Sequence, residues 1–270
     1  MSPDPFDLRD RVIVVTGGLG QLGTEFTRAI AERGGRAAVL DLDVTPAKRQ
    51  AFSGELRERV MYVAADICQR SHLETALATI EKEWEAPFGL INNAALDSPP
   101  SAPASENGPF EQYSKESWER ILDVNLGGAF LCCQVFGGRM AELGRGTITN
   151  ISSIYGMVSP DQRLYAYRSK DGVPFVKPVA YSVSKSGLLN LTRYLATYWA
   201  GNGVRVNTLT LAGVFRSQDE EFLKGYCARI PIGRMASADE YNGAIVFLCS
   251  DASRYMTGAN LVIDGGWTAW

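Results

Sequence analysis

The sequence predicts one doubly wound α/β domain, a parallel sheet with helices on both faces, and three observations carry that expectation. Short β-branched runs alternate with helical stretches along all 270 residues. The strand candidates are apolar almost throughout, as strands covered on both faces are. A glycine-rich turn, Thr16-Gly-Gly-Leu-Gly-Gln-Leu-Gly23, joins the first strand candidate to the first helix. No internal repeat and no long linker divides the chain, so residues 1–270 read as a single domain.

The elements follow in order. Residues 11–16 (RVIVVT) read as a strand and 20–33 as the helix that leaves the turn. Strands are read at 36–41 (RAAVLD), 60–64 (VMYVA) and 88–92 (FGLIN), with a helix at 71–85 between the last two. The pattern Ser71-x-x-Glu74 is a capping-box signal for that helix. A long helix is read at 115–142, a strand at 147–151, a helix at 180–200, a strand at 204–208, a helix at 237–250 and a last strand at 260–263. Two segments break the rhythm, 97–112 with its four prolines and 159–179. Both follow strand ends and would emerge at the carboxyl edge of the sheet, where open α/β folds bind ligands.

Composition removes several function classes. Lys and Arg number 27 against 30 Asp and Glu, a formal charge of −3, so no basic footprint for nucleic acid or an anionic membrane is present. With 46% hydrophobic and 21% charged residues, the chain reads as a soluble globule. No apolar run reads as a membrane span, and the start, Met1-Ser-Pro-Asp-Pro-Phe-Asp, shows neither the basic nor the apolar part of a signal peptide; the expected compartment is the cytoplasm. The five cysteines, Cys68, Cys132, Cys133, Cys227 and Cys249, have no CxxC spacing and read as structural thiols, with no metal site expected. His72, the one histidine, lies far from any nucleophile motif, which removes Ser-His-Asp hydrolases and His-based metal enzymes.

Gly18-x-Gly20-x-x-Gly23 matches the dinucleotide fingerprint, with a strand before it and a helix after it. Glycines let the backbone turn tightly and approach a pyrophosphate, and the helix N-terminus offers free amides and a positive dipole end. Asp41 ends the second strand 18 residues past Gly23, where an acid takes the ribose hydroxyls of NAD and repels the extra phosphate of NADP. Arg36 begins that strand, so it does not offer the rescuing charge that NADP needs. NAD is the expected cofactor, ahead of NADP.

The second half carries acid–base chemistry. Asn150-Ile-Ser-Ser153 ends a strand, and Tyr181 and Lys185 share one face of the next helix at i, i+4. A phenol near pKa 10 is a poor base at neutral pH, and a neighbouring ammonium stabilises its phenolate. A serine hydroxyl opposite would polarise the substrate oxygen.

Taken together, these motifs resemble the short-chain dehydrogenase/reductase family. Besides those already quoted, the resemblance includes Ala65-Asp66-Ile67, Asn92-Asn-Ala-Ala95, Asp123-Val-Asn125, Ile232-Gly-Arg-Met235, Phe247-Leu-Cys-Ser-Asp251 and Val262-Ile-Asp-Gly-Gly266. It implies a Rossmann fold. It implies that Tyr181 exchanges the proton with the substrate, that Lys185 holds the nicotinamide ribose and lowers the tyrosine pKa, and that Ser153 hydrogen-bonds the reacting oxygen. Asn125 would hold a helix kink and a water leading from Lys185. Gly17, Gly20, Gln21 and Leu22 would hold the cofactor phosphates, Asp66 and Ile67 its adenine, Asn92 and Ala94 the adenine ribose, and Val214 the carboxamide. Departures are Gln21 for the middle glycine of TGxxxGxG, Ala95 for the glycine of NNAG, and Ala212-Gly213 for Pro-Gly. Ser153 and Tyr181 stand 28 residues apart, about twice the family's gap, so 159–179 reads as an insertion.

That insertion carries Arg163, Arg168, Lys170 and Lys177 against Asp161 and Asp171, a local +2 that would suit a substrate carboxylate or phosphate. The expected activity is interconversion of a secondary alcohol and a ketone on a polar, sugar-like or anionic small molecule. Alternatives are a 3-oxoacyl carrier-protein reductase, which Asp41 disfavours, and a non-catalytic dinucleotide sensor, which the retained Ser153, Tyr181, Lys185 and Asn125 disfavour. The long helices at 115–142 and 180–200 carry apolar positions beyond one sheet face, and related proteins pair such helices, so a homodimer or homotetramer is expected.

Overall fold

The computed structural model describes residues 4–97, 107–169 and 172–270, and every residue of its first strand, β1 (Val12–Thr16), is buried. The others are β2 (Arg36–Asp41), β3 (Val60–Ala64), β4 (Gly89–Asn92), β5 (Gly146–Ser153), β6 (Val204–Leu211) and β7 (Asn260–Ile263). All pair in parallel, in the order β3-β2-β1-β4-β5-β6-β7. The order reverses between β1 and β4, which opens a crevice at their carboxyl ends. This is the single Rossmann-type domain that the alternation of elements predicts.

Strand pleating divides the core in two. Val12, Val14, Leu40, Leu90, Ile148 and Val206 point to one face, where they meet α3 (Arg70–Glu83), α4 (Lys115–Glu142) and α5 (Val179–Trp199). Ile13, Val15, Ile91, Ile151 and Leu209 point to the other, against α1 (Gln21–Glu32) and α7 (Asn242–Cys249). Each fully buried large side chain contributes about 1.5–3 kcal/mol, so the sheet is the rigid part on which the loops are mounted. Two short helices, α2 (Glu55–Glu58) and α6 (Glu220–Cys227), lie outside these layers in the loops after β2 and β6.

Several boundaries differ from the sequence reading, each for a local reason. β5 and β6 run on to Ser153 and Leu211 because their register with each other continues to Ser153↔Leu211. The Ser71-x-x-Glu74 box does not form: α3 starts at Arg70, Glu74 pairs with Arg70 at 2.7 Å, and the Ser71 carbonyl accepts the Thr75 hydroxyl at 2.9 Å. A capping box forms instead at Ser237 and Glu240, before the helix read at 237–250. The helix at 115–142 contains two π-helical stretches, Asp123–Gly128 and Cys133–Gly137. By length and mean hydropathy it is long enough to cross a membrane, which the sequence reading had not expected. Half of its most apolar window is buried within this fold, the behaviour of a core helix.

Cys132, Cys133 and Cys249 are buried as read, and burial pushes the last two thiols up to about 12. His72 serves locally, its Nδ1 accepting the Asp66 amide at 3.2 Å. Of the two irregular segments, residues 98–106, Lys170 and Asp171 lie outside the described residues. The described part of 159–179 folds inward. Asp161 caps the 3-10 turn Gln162–Arg168, and Leu164, Tyr165 and Phe175 pack with Tyr155, Phe222, Tyr226 and Trp267 in an aromatic cap over the sheet edge.

Candidate active site

The glycine-rich turn is shaped by near contacts that only glycine permits. Gly17 has φ +60°, and a Cβ there would stand 2.9 Å from the Ala94 Cα. A Cβ on Gly23 would stand 2.1 Å from the Gly17 carbonyl oxygen, so α1 can rise this close to β1 only without one. Gly20 is the N-cap of α1; no side chain caps the helix and no acid sits in its first turn. Its first amides therefore face the crevice, a cradle that suits the pyrophosphate of a dinucleotide. Asp41 accepts the Leu19 amide at 3.1 Å, which fixes its carboxylate beside this turn. Arg36 stacks over Trp84 at the opposite end of β2.

Two residues that the sequence reading passed over hold the cradle in place. Asn93 donates its side-chain amide to the Thr16 and Gly17 carbonyls at 3.0 and 3.1 Å, and the Thr16 hydroxyl accepts the Asn93 and Ala94 amides. Their signal was present in the doubled asparagine of Asn92-Asn93, but not which asparagine faces the turn. Asn92 points the other way, donating to Asn150 and Cys133 inside the core, so only its backbone faces the crevice. Gln21 spans the mouth of the turn and donates to the Phe215 carbonyl at 2.9 Å, beside Val214. Asp66 is folded back to accept the Cys68 amide at 2.9 Å, and Ile67 is buried where Gly128 of α4 leaves room for it.

The catalytic candidates converge from β5 and α5. Pro178 caps α5, placing Tyr181 in the first turn and Lys185 one turn further. The Ser153 hydroxyl faces the Tyr181 phenol and lowers its pKa, although the two stand 28 positions apart in the chain. Lys185 donates to the Ile151 carbonyl at 2.9 Å, and its ammonium stands 5.8 Å from the centre of the Tyr181 ring. Asn125 lies in the first π-helical stretch of α4. Its side chain bonds both backbone groups of Leu96, at 2.7 and 2.9 Å, and donates to Ser184 at 3.1 Å. The π turn is what turns Asn125 inward, and such turns are common at functional sites.

Burial pushes the Tyr181 phenol well above its ordinary range, the Asp97 carboxylate adds to this, and Ser153 partly offsets it. Burial also lowers Lys185, to about 8, with Asp97 opposing. Each of the three described cations of the 159–179 segment meets a carboxylate. Arg163 lies bidentate on Asp161, which also holds Arg229. Arg168 sits over Phe175 and 4.0 Å from Asp219. Of the described cations in that segment, Lys177 alone reaches Tyr181, 4.7 Å from its ring centre, and there it pairs with Asp97. Asp161 and Asp219 hold the two arginines.

Residues 20–268 match the family described as Enoyl-(Acyl carrier protein) reductase. A D-threitol dehydrogenase of Mycolicibacterium smegmatis is 34% identical over 269 residues, covering 97% of this chain and 95% of that protein. A short chain dehydrogenase of Leptospira borgpetersenii, solved with bound NAD+, is 31% identical with a TM-score of 0.85, covering 99% of this chain and 97% of that one. A gluconate 5-dehydrogenase of Burkholderia cenocepacia, solved with NADP and tartrate, is 25% identical with a TM-score of 0.84, covering 99% and 98%. The chain belongs to the short-chain dehydrogenase/reductase family. It is an oxidoreductase acting on CH–OH groups, interconverting an alcohol and its carbonyl form.

Proposed function

We propose that this protein works with NAD on a secondary alcohol, or the matching ketone, of a polar, sugar-like small molecule. The convergence of Ser153, Tyr181 and Lys185 on one spot carries the reading. When bound, the dinucleotide supplies the hydride acceptor or donor. Ser153 donates a hydrogen bond to the substrate oxygen, and Tyr181 removes or returns its proton at the phenol oxygen. Lys185, anchored on β5, supports the phenolate and the ribose of the cofactor, and Asn125 keeps the loop after β4 in register with α5. Asp41 supports NAD over NADP, and Gly17, Gly20, Gln21, Leu22, Asp66, Ile67, Asn92, Ala94 and Val214 line the way from phosphates to nicotinamide. The named activities of the threitol and gluconate relatives support the sugar-like substrate.

The description of the matched family keeps an acyl-carrier-protein substrate as a second reading. We also read the protein as cytoplasmic and as a homodimer or homotetramer built on α4 and α5. Exposed Phe130, Val183, Tyr194 and Tyr198 support that assembly, the two tyrosines stacked at 5.9 Å.

Nicotinamide absorbance, followed with NAD and NADP across polyols, sugars, sugar acids, nucleotide sugars and an acetoacetyl thioester, tests the reading. Tyr181→Phe serves as the blank. Turnover of a polyol or sugar with NAD that vanishes in the blank supports it. Turnover of the thioester alone, or a Tyr181→Phe variant as active as the parent, overturns it.

A further inference from the structure

Lys177 and Asp97 meet beside Tyr181 from segments 80 residues apart. Lys177 precedes the proline that caps α5, which biases its backbone toward an extended form just outside the helix. Gln162 grips that backbone from both sides, accepting the Lys177 amide at 2.8 Å and donating to its carbonyl at 3.2 Å. The Lys177 side chain is only 5% exposed, while Asp97, five residues past β4, is 50% exposed. The ammonium lies nearer the Tyr181 ring than that of Lys185 does, 4.7 against 5.8 Å.

Next to the reacting phenol, then, stands one donor-only cation paired with one acceptor-only anion, a neutral couple. A vicinal diol fits such a couple well, because each hydroxyl both donates and accepts. A substrate carboxylate fits poorly: it meets the Asp97 charge and must compete with it for Lys177.

Resting on the alcohol–ketone reading above, we propose that Asp97 and Lys177 form a clamp that selects uncharged polyols over sugar acids, Asp97 accepting from one hydroxyl and Lys177 donating to its neighbour. The pair is specificity-determining, and neither side chain receives the hydride or the proton.

Steady-state kinetics at saturating NAD, on four- to six-carbon alditols and the matching aldonates, tests the clamp in the parent, Lys177→Met, Asp97→Asn and Arg163→Ala. Thermal midpoints and NAD affinities are measured alongside. The parent should favour alditols. Lys177→Met should lose about 30-fold or more in kcat/KM on alditols, chiefly through KM, with NAD affinity retained. Asp97→Asn should shift the alditol-to-aldonate ratio toward aldonates by tenfold or more, since the ammonium then faces their carboxylate. Arg163→Ala, held on Asp161, should change neither series. A purely structural pair would lower the midpoint and both series equally, leaving the ratio in place, and that result overturns the clamp. If a variant fails to fold, Asp97→Glu and Lys177→Arg replace it; they should keep the alditol preference, and losing it overturns the clamp. A parent that turns over alditols with unchanged ratios in the variants overturns the clamp alone. A parent that turns over no polyol or sugar overturns the underlying reading and the clamp with it.

Discussion

The ammonium of Lys185 donates to the carbonyl of Ile151 at 2.9 Å, which ties the buried lysine of α5 to the strand that carries Ser153. Burial lowers this lysine to about 8, with Asp97 opposing. The unfolded chain keeps that proton to about pH 10.4, the ordinary lysine value. Between pH 8 and that value the unfolded state binds more protons, so stability contributed by this group rises with pH across the window. Below pH 8 both states are charged and the folded state bears the buried ammonium. Relative to Lys185→Met, the parent should therefore gain up to about 3 kcal/mol between pH 7 and pH 10. Denaturant midpoints of the two proteins across that range check it; parallel pH profiles would remove the buried ammonium from the account.

Tyr181 is held high first by burial and then by Asp97. In the proposed mechanism the phenol loses its proton for alcohol oxidation, so kcat/KM should climb with pH until that proton leaves. Asp97→Asn removes a charge that opposes phenolate, and the break in the pH profile should move down, toward neutral pH. Profiles of parent and variant on one neutral substrate decide this, and a break that stays in place or moves up contradicts it.

Asn93 makes the sharpest prediction for the cofactor cradle. Replacing it by Ala leaves the Thr16 and Gly17 carbonyls without the donors they now have at 3.0 and 3.1 Å. A lost bond of this kind costs about 1–3 kcal/mol. NAD affinity should fall about tenfold or more, while the phenol and Ser153, on the far side of the crevice, stay paired. Calorimetric titration of NAD into Asn93→Ala reads the effect, and unchanged affinity would show that the turn holds its shape without this clamp.

The parallel, doubly wound sheet was legible because apolar runs buried on both faces leave a strong signal, and the glycine-rich turn because Gly17 and Gly23 are demanded by local geometry. Tyr181 and Lys185 were legible from a spacing of four on one helix. The extent of β6 was harder to read: the strand read at 204–208 runs on to Leu211, with Thr208 and Thr210 buried and satisfied by Thr192 at 2.7 Å and Asn260 at 2.6 Å. The π turns of α4 leave no periodic trace, since one extra residue per turn shifts the pattern only locally. The fate of Arg168 and Lys177 depended on partners far along the chain, Asp219 and Asp97. Charge counting in the segment alone could not find them.

Asp41 sits at the carboxyl end of β2 and uses one carboxylate oxygen to accept the Leu19 amide at 3.1 Å. Under the NAD reading proposed above it has two separable functions, to brace the glycine-rich turn and to place a negative charge where NADP would bring its extra phosphate. Lys48, on the loop after β2, is paired with Asp43 at 3.0 Å and does not offset that charge from its present position. Asp41→Asn keeps an oxygen that can accept the Leu19 amide and removes the charge; Asp41→Ala removes both. The asparagine variant should therefore bind NADP at least tenfold better relative to NAD, with a thermal midpoint near that of the parent. The alanine variant should show the same shift in preference together with weaker binding of both cofactors. Paired titrations of NAD and NADP into the three proteins separate the functions. If Asp41→Asn leaves the preference where it was, the selection of NAD lies elsewhere in the cradle, and bracing the turn is the whole contribution of this carboxylate.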